Sequence, residues 1–366
     1  MVTSRPPAAL LAVTAALALA SCSAAPAAVD RTTPPPAASA APAGAAPSTS
    51  PASSGPAPSS RTDGAVPVWV PGGNWNASLV GVDAATARTA AAVTQPGSIC
   101  GVAQDGRQVW AVTDLGVRSD ADLVTRLDAR TGAEQARGTA GGPVRDLAVT
   151  PDAVWLDVGP RVVGLDRTTL RRRTAWALRE PLVGLVGSGG LLWGVGRDSD
   201  ALLGLDPASG KVVRSVPVGV TPAQVDGVVS HGRHLWVSDA TGNRVLEVDP
   251  AGRQVVRSVV VGPADVRDAD GVNVRGLVLA RGRVWAYHLA AADRWALSPV
   301  GGPGADVPLP ALGMCGVRSD GRDLWFGWAA DVASDLGIYR ADLTTGEVSR
   351  VSGLTHDGDL ALKVAP

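Results

Sequence analysis

Seven short segments of this chain carry a tryptophan at the same place in an apolar run. They are Val68-Trp69-Val70, Val109-Trp110-Ala111, Val154-Trp155-Leu156, Leu192-Trp193-Gly194, Leu235-Trp236-Val237, Val284-Trp285-Ala286 and Leu324-Trp325-Phe326. Successive tryptophans lie 41, 45, 38, 43, 49 and 40 residues apart. A period of about 40–50 residues made of short apolar runs and turns belongs to radially repeated sheets, not to helical repeats. Seven of the 11 tryptophans fall in this column. A large side chain recurring at one position is what packing of sheet on sheet requires, so the column is read as blade core.

The rest of each unit reads as strands. Upstream of the tryptophan, from the second unit on, stands an x-Gly-(Val/Leu) step: Cys100-Gly101-Val102, Val183-Gly184-Leu185, Asp226-Gly227-Val228, Arg275-Gly276-Leu277 and Cys315-Gly316-Val317. The third unit has Arg145-Asp146-Leu147 there. Glycine suits an inner strand, where blades crowd towards an axis. Downstream, a strand ends in Asp83, Asp128, Asp166, Asp206, Asp249 or Asp342, with Ser298 taken as the counterpart in the sixth unit. An aspartate opening a turn accepts backbone N–H bonds, so these acids are read as turn residues rather than metal ligands. The chain enters its first unit at the tryptophan strand and ends in Asp359-Leu360-Ala361-Leu362-Lys363-Val364, which matches Asp146-Leu147-Ala148-Val149. The expectation is an all-β domain over residues 66–366: one seven-bladed β-propeller of four-stranded blades, its ring closed by the C-terminal strand joining the first blade.

Residues 1–65 lie outside that pattern. Arg5 precedes an apolar run from Ala8 to Ala20, too short for a membrane span and suited to a signal peptide over residues 1–21. The run ends in Leu19-Ala20-Ser21-Cys22, which resembles a bacterial lipobox and implies lipidation of Cys22. Residues 22–65 are Ala, Pro, Ser, Thr and Gly with almost no large apolar side chain, the composition of a disordered tether. At ~3.1 Å per residue, forty such residues reach on the order of 100 Å. The implied address is the extracytoplasmic face of a bacterial membrane, held through a lipid anchor. With 33 Lys+Arg against 34 Asp+Glu and no basic stripe, nucleic acid is not an expected partner.

The unit Leu235-Trp236-Val237-Ser238-Asp239-Ala240-Thr241-Gly242-Asn243-Arg244-Val245, followed by Val248-Asp249-Pro250, resembles the bacterial YVTN-type and virginiamycin B lyase-like propellers. That resemblance implies seven blades and, in the lyase, a metal ion and a histidine at the blade mouths. Only scattered acids such as Asp114 and Asp239 fall near the place where those enzymes carry an acidic residue.

Loops entering the inner strands ring one end of a propeller channel, where ligands commonly bind. The repeat places Arg145, Asp146, Asp226, Asp268, Asp270, Asn273, Arg275, His356, Asp357 and Asp359 around that mouth. They are read either as a binding site or as a solvated rim of Arg–Asp pairs. His231 and His234 belong to a hairpin at the opposite end, whereas His288 and His356 are the pair with potential for acid–base or metal chemistry near the mouth. Cys100 and Cys315 share one repeat position on either side of the first blade. Export permits a disulfide between them, and two buried thiols are the alternative. The functional expectation is a tethered binding or scaffold module facing an envelope protein, glycan or small molecule. The rival is a lyase- or lactonase-like enzyme with a divalent metal, Ca or Mg, at the mouth.

Overall fold

A computed structural model describes residues 66–72, 78–116, 121–220, 227–267, 271–291, 294–309, 314–328 and 337–351, with the backbone alone for 314–316 and 328. Every regular element within these residues is a strand. They form six four-stranded sheets and one three-stranded sheet, each an antiparallel meander in chain order. The protein is a seven-bladed β-propeller, as the repeat predicts.

Burial follows position within a blade. The tryptophan strands are mostly apolar on both faces and mostly buried, as in Ala153–Asp157 and Leu191–Gly196, where only Leu191 is half-buried. The outermost strands, such as Glu134–Thr139 and Arg172–Ala177, are polar and largely exposed. All seven repeat tryptophans are buried, none more than 5 % exposed. Burying one indole contributes on the order of 5 kcal/mol before entropy is counted.

The core is divided into seven apolar clusters, each shared by two consecutive blades. The tryptophan of one blade packs against the next: Trp110 against Val154 and Leu156, Trp155 against Leu182 and Leu192, Trp193 against Leu235 and Val237. The series returns to its start, because Trp325 of the seventh blade packs with Val68, Val70, Val80 and Val82 of the first. The ring is therefore closed by side-chain packing between the last blade and the first.

The repeated aspartates act as the sequence predicts. Oδ1 of Asp83, Asp128, Asp166, Asp249 and Asp342 each accepts one or two backbone N–H bonds at 2.7–3.1 Å from the turn that follows. These donors hold the carboxyls of Asp166, Asp249 and Asp342 below the usual range. One assignment needs correction. In six blades the aspartate lies two residues after the cross-strand partner of the tryptophan, as Asp206 follows Gly204 opposite Trp193. In the sixth blade Trp285 faces Pro299, so the equivalent place is Gly301 and not Ser298. The sixth blade's second strand, Arg283–Ala291, is nine residues long and changes register against its neighbour, which displaces the pattern.

The first blade has three strands among the described residues: Val68–Pro71, Ser78–Asp83 and Arg88–Thr94. The strand expected from Asp359–Val364 lies outside the described residues. On the edge it would join, Gln104 of the second blade bonds the backbone: its Oε1 accepts Trp69 N–H at 3.1 Å and its Nε2 donates to Pro67 C=O at 2.9 Å. One side-chain amide thus satisfies a donor and an acceptor that a neighbouring strand would otherwise meet.

Candidate functional site

Strand register aligns the inner strands in the same way as the repeat. The inner-strand residue opposite the tryptophan is Ala103 in the second blade, Ala148 in the third, Val186 in the fourth, Val278 in the sixth and Arg318 in the seventh. Three residues before it stand Cys100, Arg145, Val183, Arg275 and Cys315. These five positions share one level at the mouth end of the ring. Four of the five inner strands break register there, and Cys100 and Arg275 are the extra residues of their bulges.

Asp146 stands where the other inner strands carry glycine. Its Oδ1 accepts Leu147 N–H at 2.7 Å and its Oδ2 accepts Leu185 N–H of the fourth blade at 2.6 Å. The carboxylate therefore ties two blades together across the channel wall. Asp122, 6 % exposed, works similarly at the same end: its Oδ2 accepts Val144 N–H at 2.7 Å, and burial pushes its carboxyl up despite that bond. Glu180 accepts the N–H groups of Asp198 and Ser199 and so shapes the loop of the fourth blade.

Asp157 ends the tryptophan strand of the third blade and is 1 % exposed. Burial pushes its carboxyl up to about 7, against the opposing pull of Arg145, Arg197 and the Gly159 N–H. Its Oδ1 has no hydrogen-bond partner. Arg145 and Arg197, both exposed, thus converge electrostatically on one buried acid. With Arg161 and Arg179 they place four exposed arginines at the mouth end of the third and fourth blades, where Asp198 and Asp200 are the exposed acids. Of these residues the sequence repeat points to Arg145 alone. The Trp155-Leu156-Asp157 step carried a signal, an acid ending a strand that is otherwise apolar, but its burial depends on neighbouring loops.

Asn273 and Arg275 sit at the predicted level but serve the fold. Asn273 is fully buried, and its Nδ2 donates to Val266 C=O at 2.8 Å, fastening the long loop before the sixth blade. The Arg275 guanidinium lies 5.8 Å from the centre of the Trp295 ring. His288 pairs with Val274, the neighbour of Arg275, and is fully buried within its strand. Its Nδ1 meets Leu289 C=O at 3.1 Å and its Nε2 meets Ser298 Oγ at 2.7 Å, while Ser298 donates to Asp306. Burial pushes the imidazole pKa down. His231 and His234 face each other in a hairpin at the far end, as predicted.

Asp226, Asp268, Asp270, His356, Asp357 and Asp359, like Cys22, lie outside the described residues. No three His, Cys, Asp or Glu side chains gather as a metal site among the described residues. A recess beside the channel is lined by Cys100, Gly101, Val102, Arg145, Asp146 and Arg318, among others, with a volume of about 30 Å³. That is room for a water or two, not for an organic ligand.

No protein-family model and no curated protein matches the sequence. Solved structures do share the fold. The dihydro-heme d1 dehydrogenase NirN superimposes with a TM-score of 0.54 at 15 % identity, over 81 % of this chain and 75 % of that one. A functionally unknown protein from Desulfotomaculum acetoxidans gives 0.55 at 13 % identity, over 76 % and 93 %. The Cps50 (Swd1) β-propeller domain of Myceliophteria thermophila gives 0.51 at 14 % identity, over 70 % and 87 %. At such identities the likeness is one of architecture.

Proposed function

We propose that this chain is a membrane-tethered, extracytoplasmic binding module whose channel mouth takes an anionic group of an envelope ligand. The observation that carries this reading is the cluster of exposed Arg145, Arg161, Arg179 and Arg197 beside the third and fourth blades. The acids nearest them are engaged elsewhere: Asp122, Asp146 and Glu180 hold backbone N–H groups, and Asp157 is buried. What remains for a ligand is a surface on which guanidinium groups outnumber exposed carboxylates. Guanidinium groups bind carboxylate and phosphate through paired, geometrically matched hydrogen bonds. The lipobox-like Leu19-Ala20-Ser21-Cys22 and the Pro-rich stretch after it support the tether and the extracytoplasmic address.

Thermal unfolding of the full chain tests this directly. A uronic-acid polysaccharide or inorganic phosphate should raise the melting temperature in low salt, since a ligand of the native state stabilises it. The shift should shrink as salt rises and disappear in an Arg145→Ala/Arg197→Ala variant. An equal response in that variant, or a response to neutral sugars alone, would refute the anionic reading. A shift driven by Ca²⁺ or Mg²⁺ and erased by chelator would instead favour the metal-enzyme reading.

A further inference from the structure

We propose, resting on the anionic reading above, that the arginine-lined mouth takes up a proton as it binds its anion, and that Asp157 receives it. Asp157 ends the tryptophan strand of the third blade beneath the surface, 1 % exposed and with Oδ1 lacking a hydrogen-bond partner. Arg145 is fixed beside it twice. Its backbone N–H donates to Asp157 C=O at 2.9 Å. Its guanidinium borders Gly159, where an added Cβ would lie 3.8 Å from Arg145 Nη2. A buried acid thus sits directly under the exposed cations that would hold the ligand.

Charged groups reach this region from every neighbouring element. The inner strand Asp146–Val149 brings Asp146, opposite Asp157 in register, and Arg145 just before it. The third strand, Arg161–Asp166, brings Arg161. The fourth blade brings Arg179 and Glu180 just before Leu182–Ser188, and Arg197 and Asp198 just past Leu191–Gly196. The second blade brings Asp122 through its bond to Val144. Asp146, Glu180 and Asp122 accept backbone N–H groups, and Arg161 donates to Gly141 C=O at 3.0 Å. Burial holds the Asp157 carboxyl towards its neutral form, and Arg145 and Arg197 are the cations that pull it back.

An anion seated on Arg145 and Arg197 cancels that pull, and Asp157 then binds a proton from solvent. The linkage is reciprocal: an ionised Asp157 competes with the ligand for the same guanidinium groups, and a neutral one does not. Binding therefore tightens as pH falls through neutrality, where Asp157, held at about 7, is partly ionised in the free protein. Burial raises Asp122 as well, but the charge acting on it is that of Asp114, not of the arginines that the anion would fill.

The test is titration of the full chain with polygalacturonate in unbuffered, low-salt solution held at pH 7 by a pH-stat. The ligand's carboxylates stay ionised from pH 5 upwards, so any proton taken up goes to the protein. Acid should be consumed, a fraction of one proton per chain, and the consumption should vanish at pH 5. The Kd from calorimetry should rise by roughly three-fold or more from pH 6 to pH 8. Asp157→Asn should bind without proton uptake and with a Kd that is flat over that range. Wild-type binding without uptake at pH 7 would overturn the proposal and leave the anionic reading standing. Equal uptake in Asp157→Asn would do the same. Absence of binding at every pH would remove both.

Discussion

Asp157 is a buried acid that the fold prefers neutral. In the unfolded chain its carboxyl titrates near 3.8, and in the folded protein burial holds it at about 7. Between those values the native state keeps a proton that the unfolded state has released, so stability falls as pH rises through that window. At roughly 1.4 kcal/mol per pH unit the loss reaches the order of 4 kcal/mol at most. Asp157→Asn keeps the shape and removes the titration. Its melting temperature should therefore stay flatter than that of the wild type between pH 5 and 8 and exceed it at pH 8. Parallel pH profiles would show that Asp157 is not responsible. The half-buried turn acids behave oppositely: backbone donors keep Asp166 and Asp342 ionised, so their contribution is present above the ordinary carboxylate range and fades only in acid. This contrast also explains what a reader of the sequence can see. A turn aspartate is specified by the four residues around it, whereas the state of Asp157 is set by its burial among loops distant in sequence, with Arg145 and Arg197 opposing.

At the scale of the strand, three tryptophans rest on glycine: Trp69 faces Gly81, Trp155 faces Gly164 and Trp193 faces Gly204. A Cβ on Gly204 would lie 2.8 Å from the Trp193 ring, and one on Gly164 would lie 2.5 Å from Trp155. The missing side chain gives the indole its seat. Gly204→Ala should cost about 1–3 kcal/mol in urea unfolding with little change in slope, since the damage is overpacking in one interface. An unchanged midpoint would mean that the indole has room to move. Other blades place Arg126, Glu247 and Arg340 opposite the tryptophan instead. There Arg340 and Arg257, the latter paired with Glu247, lie over the rings of Trp325 and Trp236. Where the strands keep a common length, the repeat places the turn aspartate correctly two residues past the tryptophan's partner. It slipped at Ser298 because a longer strand with a register change carries no local mark of either feature.

The ring as a whole was legible because one tryptophan recurs in every blade and each packs on the next. The mouth was less so, since its residues come from loops that share no pattern: Arg197 and Glu180 have no counterparts in the repeat. Closure leads to a further expectation. A chain ending at residue 358 should lose its single cooperative unfolding transition if Asp359–Val364 supplies the inner strand of the first blade. A truncated chain with an unaltered transition, measured by circular dichroism, would show that Gln104 and the Trp325 cluster suffice to close the ring. The Gln104 contact also has a mechanical meaning. Any pull transmitted from the N-terminal residues enters the ring at Val68–Pro71, a strand of four residues. Its resistance rests on the ladder to Ser78–Asp83, on the Gln104 amide and on the Trp69 indole N–H bonded to Ala129 C=O at 2.7 Å. Two of those three restraints belong to the second blade, so tension entering at this strand is shared with a neighbour before the first blade can peel.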